Sequence, residues 1–193
     1  IIQYGLKDMY AWQNNTFYYL TLENENYLHP NLPNYEITEG VIKGMYCYKK
    51  NTNIKNISVQ LLASGSMLNE AIKASELLKK DWNINSTIWS VTSYSELHND
   101  AEDKLRWNNL HPNSQQKSSF LEKCLKIENG PIIALSDYVK LVAEQISPYI
   151  NCPFVALGTD GFGRSDTRDA LRDFFEVNKY YITIASINLL IKE

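Results

Sequence analysis

The sequence predicts an α/β fold, with a mostly parallel five-stranded sheet covered by helices on both faces. Five short apolar runs, at residues 44–48, 57–63, 87–91, 132–135 and 154–157, read as strands. The intervals between them carry helical spacing instead. Such alternation implies crossover connections, which make neighbouring strands parallel and place helices above and below the sheet. At 193 residues the chain has length enough to bury a substantial core and carry a short extension.

The elements follow in order. Ile2, Leu6, Met9 and Tyr10 fall on one helical face, so the chain opens inside an amphipathic pattern and reads as a fragment of a longer protein. Residues 16–22, Thr-Phe-Tyr-Tyr-Leu-Thr-Leu, are β-branched, aromatic and apolar and read as a buried strand. From 23 to 39 the chain turns polar and holds Pro30 and Pro33, which places a domain boundary there. Two units are therefore expected, 1–39 and 40–193. A short helix at 38–43 precedes the first strand of the second unit, which makes that strand the candidate exception in direction. Leu68, Ala71, Ile72 and Ser75 form a helical face after Ser66, and Val139, Val142, Ala143 and Ile146 form another after Asp137.

Residues 157–168, Leu-Gly-Thr-Asp-Gly-Phe-Gly-Arg-Ser-Asp-Thr-Arg, place three glycines and several charges between an apolar run and an amphipathic segment. That pattern is a strand, a tight loop and a helix start, with Ser165 or Asp166 as the cap and Leu171, Phe174 and Phe175 as the core anchors. In this loop Asp160, Arg164, Asp166 and Arg168 are suited to fixing loop geometry or making a subunit contact through charge-assisted hydrogen bonds. Residues 180–191 are apolar but include Thr183, Ser186 and Asn188, and they are too short to span a membrane. They read as a terminal docking helix.

Composition narrows the function. The formal charge is -3, and no basic run is interleaved with aromatics, so no nucleic-acid surface is expected. Cys47, Cys124 and Cys152 are odd in number and widely spaced, which fits reduced thiols in a cytoplasmic protein. His29, His98 and His111 show no metal-ligand spacing. His29 lies near Glu23 and Glu25, where acid/base work could be supported, although loop polarity alone explains these residues. Ser64-Gly65-Ser66 opens a helix but lacks both phosphate-loop fingerprints, so an independent nucleotide-binding domain is disfavoured. No Gly-x-Ser-x-Gly elbow occurs.

Several motifs together carry a family resemblance. They are Tyr18-Tyr19 leading to Asn24-Glu25-Asn26-Tyr27, Glu39-Gly40-x-x-Lys43-Gly44, Val91-Thr92-Ser93, Arg106-Trp107-Asn108-x-Leu110-His111-Pro112 and the 157–165 loop. End to end, the chain resembles the C-terminal part of the homodimeric bacterial pyruvate dehydrogenase first component, a branch of the transketolase superfamily. The resemblance implies a three-layer αβα domain of transketolase C-terminal type over 40–193, with 1–39 as the end of the pyrimidine-binding domain plus linker. It implies decarboxylation of pyruvate with thiamine diphosphate and Mg2+ by the full-length enzyme, and transfer of the acetyl unit to the lipoyl group of dihydrolipoyl acetyltransferase. It further implies a homodimer in a cytoplasmic multienzyme complex.

The family's cofactor signature, Gly-Asp-Gly followed by Asn-Asn, has no match here, since Gly158-Thr159-Asp160-Gly161 carries an inserted threonine. The resemblance therefore implies cofactor and catalytic residues in regions absent from this chain, and an inactive isolated fragment that serves dimerisation and assembly. The family commonly reads Asn-Glu-Asn-Tyr-His, whereas here Leu28 precedes His29, so no role is carried over to that histidine. Asn24, Glu25 and Asn26 are the candidates for lining a channel for a small 2-oxo acid, and Asp160, Arg164, Asp166 and Arg168 are the interface candidates. The alternatives are the same domain of another transketolase-superfamily enzyme, or a noncatalytic interaction module.

Overall fold

The computed structural model of the chain describes residues 1–23, 25–51, 57–126 and 130–192. Helix α1 (Ile2–Leu6) runs into a π turn at Lys7–Ala11. After an irregular stretch come α2 (Thr38–Lys43), β1 (Met45–Lys49), β2 (Ser58–Ser64), α3 (Met67–Trp82) and β3 (Asn85–Val91). Then follow α4 (Tyr94–Leu110), α5 (Phe120–Leu125), β4 (Ile132–Leu135), α6 (Leu141–Glu144), β5 (Phe154–Leu157), α7 (Arg168–Phe174) and α8 (Lys179–Lys192).

The five strands form one sheet in the order β1-β3-β2-β4-β5. Four strands are parallel, and β1 runs antiparallel to β3, the exception its preceding helix suggested. Side chains alternate across β2, so Val59, Leu61 and Ala63 join one core and Leu62 the other. The first core lies against α3 and α8, where Met67, Ala71, Ala74, Leu78 and Ile182 are buried. The second lies against α4, α5 and α6, where Tyr94, Leu97, Leu121, Ala143 and Ile146 are buried. Both faces of the sheet are thus covered, which is the three-layer arrangement that near-continuous apolar parallel strands require.

Local chemistry sets the boundaries. Ser93 and Ser119 accept from Glu96 N and Glu122 N at the starts of α4 and α5, and Ser119 and Glu122 complete a reciprocal capping box. Asn83 closes α3 in the left-handed region at φ 53. Pro148 cannot donate to a preceding carbonyl, and the helix expected over 139–146 is accordingly only α6 plus a 3-10 turn at Ser147–Tyr149.

Three further expectations are corrected. Residues 16–22 are not a buried strand. They pair with no strand among the described residues, and Phe17, Tyr19 and Leu22 are 85%, 85% and 89% exposed, because a β segment needs a neighbouring edge to bury its alternate faces. The cap of α7 is neither Ser165 nor Asp166 but Thr167, whose hydroxyl accepts from Ala170 N at 3.4 Å. Phe174 is turned outward, leaving Phe175 to pack against the core.

Candidate functional site

The strand order determines where a crevice forms. From β2 the chain crosses one face through α3 to β3, whereas the chain leaving β4, the other neighbour of β2, crosses the opposite face through α6. Loops leaving the C-terminal ends of β2 and β4 therefore diverge, and such a switch point opens a crevice in an α/β sheet. A cavity of about 410 Å3 lies there, bordered by Ser66, Asp137, Tyr138, Thr159, Arg168 and Arg172. A smaller cavity of about 180 Å3 lies at the opposite edge, beside Gln60 and Ile132.

The crevice walls are tied together by backbone contacts. Thr159 N donates to Tyr138 O at 2.8 Å, and Thr159 Oγ1 donates to Asp137 O at 2.9 Å. Asp160 accepts from Lys140 N at 3.0 Å and faces Lys140 Nζ at 3.3 Å. Gly158 permits this closeness, since a Cβ there would lie 2.5 Å from Lys140 N and 2.7 Å from Tyr138 O. Asp160 thus joins the loops after β4 and β5.

Glu23 and residues 25–27 lie over this edge. The Glu23 carboxyl lies beside that of Asp137 and acts on it through its charge and hydrogen bonding. Crowding of Asp137 by protein, then the hydrogen bonding and charge of Glu23, raise its pKa to about 6, against the opposing pull of Arg168. Asp137 keeps contact with water at the rim, and this screens the pair. Gly65 turns beside the two acids with φ +51, a left-handed backbone that favours glycine, while a Cβ there would lie at ordinary contact distance, 3.5 Å from Glu23 Oε1 and 3.8 Å from Asp137 Oδ2.

Arginines form the other side. Arg168 and Arg172 are one turn apart on α7 and share a face. Arg168 Nη2 meets Glu25 Oε1 at 2.9 Å, and that hydrogen bond holds the Glu25 carboxyl below the usual carboxylate range. Both guanidinium groups lie 5.9 Å from the ring centre of Tyr27. Arg172 Nη1 pairs with Glu70 Oε1 at 3.1 Å; both side chains are nearly enclosed, at 11% and 5% exposure. Glu70 also meets Lys73 Nζ at 2.9 Å and accepts from Lys179 N at 3.0 Å. Arg168 Nε and Arg172 Nη2 are enclosed without a partner among the described residues.

The expected site residues divide. Glu25 is held by Arg168, Asn26 and His29 are exposed, and Asn24 lies outside the described residues. Of the loop residues, Asp160 bonds Lys140, Asp166 accepts from Thr167 N at 2.7 Å, and Arg164 stacks 4.3 Å over Phe174. Glu70, Asp137 and Arg172 were not singled out in the sequence. The one signal for them was the four-residue spacing of Arg168 and Arg172.

Among the described residues no group of three or more His, Cys, Asp or Glu could hold a metal ion. Asp160, the aspartate of the nearest Gly-Asp-Gly likeness, is committed to Lys140.

Comparison with known proteins bears on this arrangement. The family model for the transketolase-like C-terminal domain matches residues 44–178. The chain belongs to that family. The transketolase-like domain is preceded by a match at residues 1–30 to the pyruvate dehydrogenase E1 component middle domain. The pyruvate dehydrogenase E1 component of Cupriavidus necator is 46% identical over 100% of this chain and 22% of its own length. The E1 components of Buchnera aphidicola from Acyrthosiphon pisum and of Escherichia coli K12 are 48% and 41% identical over 98% and 100% of the chain, each over 21% of its own length. The chain thus spans about a fifth of these relatives. Transketolase from Leishmania mexicana has the same fold at a TM-score of 0.56 and 17% identity, covering 80% of this chain and 19% of that one. Transketolase from Campylobacter jejuni gives 0.52 at 14% identity, covering 79% and 19%. No helix among the described residues is long and apolar enough to cross a membrane.

Proposed function

We propose that this transketolase-like domain is the C-terminal portion of a pyruvate dehydrogenase E1 component. The whole enzyme, in this reading, decarboxylates pyruvate and reductively acetylates the lipoyl group of dihydrolipoyl acetyltransferase, as a cytoplasmic homodimer. Residues 1–39 end the middle domain and link it to a C-terminal domain at 40–193. The observation that carries this reading is end-to-end similarity to E1 components across both units, including the 1–30 middle-domain match. Thiamine diphosphate and Mg2+ are assigned to regions outside this chain, and no chemical step is assigned to the residues here.

The contribution of this domain is architectural. It holds Glu25 at the mouth of a channel for a small 2-oxo acid, which Asn26 and, by its place in the sequence, Asn24 also line. The Glu25 charge is neutralised by Arg168, so the segment is polar without a net charge toward an anionic substrate. The outer surface of the 160–168 loop, with Phe162 95% exposed at its tip, supports contacts with the second subunit or with the acetyltransferase. In this assignment Asp160, Arg164 and Asp166 shape the loop from within.

The test uses the complete protein with thiamine diphosphate, Mg2+ and acetyltransferase. Pyruvate is expected to be decarboxylated, and Asn26→Ala to raise the KM for pyruvate about threefold or more, the loss of one polar contact. Absence of pyruvate turnover would overturn the functional reading. Unchanged kinetics of the variant would remove Asn26 from the channel.

A further inference from the structure

Glu23 and residues 25–27 form no regular element, yet Glu25 and Tyr27 must hold fixed positions if the segment is to line a channel. The contacts that hold them converge on one helix. Arg168 Nη2 reaches Glu25 Oε1 at 2.9 Å, while the Arg168 and Arg172 guanidinium groups both lie 5.9 Å from the Tyr27 ring centre. A cation near an aromatic ring is attracted by the ring quadrupole, and two cations fixed one turn apart hold the ring from two positions. Arg172 is fixed from behind by Glu70, which also accepts from Lys179 N at the start of α8. A connected path therefore runs from α3 through Glu70 and α7 to the polar segment.

We propose that Arg168 and Arg172 are positioning residues for the substrate channel: Arg172, anchored on Glu70, holds Tyr27, and Arg168 holds and neutralises Glu25. The proposal rests on the reading of segment 24–26 as channel lining for a small anionic 2-oxo acid. The charge balance gives it content beyond packing. Arg168 keeps Glu25 ionised by its hydrogen bond and at the same time cancels its field. Without Arg168, an uncompensated carboxylate faces an incoming carboxylate and like charges repel. Loss of Arg168 thus acts on substrate capture, and restoring neutrality at Glu25 compensates for it.

The experiment is a steady-state comparison in the full-length enzyme of wild type, Arg168→Gln, Arg168→Lys and the double variant Arg168→Gln with Glu25→Gln. Arg168→Gln is expected to raise the KM for pyruvate about tenfold with a much smaller effect on kcat, the pattern of weakened substrate binding. Arg168→Lys recovers part of the loss because it keeps the charge without the planar fork. The double variant recovers most of it. Arg172→Lys, with thermal unfolding measured alongside, is expected to raise KM while leaving the unfolding midpoint within a few degrees of wild type, since the Glu70 pairing is retained. Equal KM in wild type and Arg168→Gln overturns the proposal, as does a double variant no better than the single one. A wild-type enzyme that does not turn over pyruvate instead overturns the functional reading on which the proposal rests.

Discussion

Glu70 is only 4% exposed, yet it lies on a helix whose charged residues otherwise face water. It is tolerated there because Arg172, Lys73 and Lys179 N surround its two oxygens. Removing one partner of a buried ion pair leaves the other charge enclosed. Glu70→Ala is therefore expected to destabilise the protein by about 3 kcal/mol, read as a lowered denaturation midpoint in urea; a loss under about 0.5 kcal/mol, typical of a surface site, would show that the cluster is solvated. The acid pair of Glu23 and Asp137 behaves differently. Asp137 is raised in the folded protein from its ordinary value of 3.8 to about 6. Between about pH 4 and 6 the folded state holds a proton that the unfolded chain has released, so the contribution of the pair is full at low pH and is lost as pH rises through 6. Asp137→Asn keeps a hydrogen-bonding side chain without the titration. The stability difference between wild type and Asp137→Asn should change across that window, and a difference constant from pH 4 to 7 would show that folding does not raise Asp137.

At the scale of elements, what was legible depended on how local the cause was. Strands 132–135 and 154–157 match the structure to the residue, since short, fully apolar runs bounded by Gly or Pro are legible in isolation. The face of α3 was equally legible in Leu68 and Ala71, although Ile72 is only half-buried and Glu70 takes an enclosed position beside them. The carboxylate was missed because its partner Arg172 lies 102 residues away, beyond any local pattern. The same limit applies at the site. Glu25 and the 157–168 loop were singled out separately, but the bridge from Arg168 to Glu25 joins residues far apart in the sequence, beyond any local pattern. Residues 16–22 fail for the opposite reason: their β character is plain, and what they lack is a neighbouring edge.

The whole molecule divides unequally between buried and uncovered apolar surface. Residues from α2 to α8 enclose two cores, one on each sheet face, and most of the large enclosed side chains lie in them. The N-terminal part is tied differently: Asp8 accepts from Asn14 Nδ2 at 2.6 Å and from Tyr18 OH at 3.0 Å, a small local knot. Between that knot and Tyr35, whose hydroxyl donates to Cys47 O on β1, the apolar side chains Tyr19, Leu22, Leu28 and Leu32 stand 85%, 89%, 91% and 67% exposed. Exposed backbone outside regular elements, carrying aromatic and leucine side chains, is what chymotrypsin-like proteases cut. Limited digestion of this chain should first cleave between Tyr19 and Leu32, leaving a resistant product that contains α2 through α8. In the full-length protein the same bonds should survive much longer, because the middle domain whose family model matches residues 1–30 would cover those side chains. First cuts inside the sheet or its covering helices would contradict the division into a cored domain and an uncovered segment. Equally fast cleavage at Tyr19 and Leu22 in the full-length protein would show that these side chains face solvent there too, and that their apolar character serves some contact other than the middle domain.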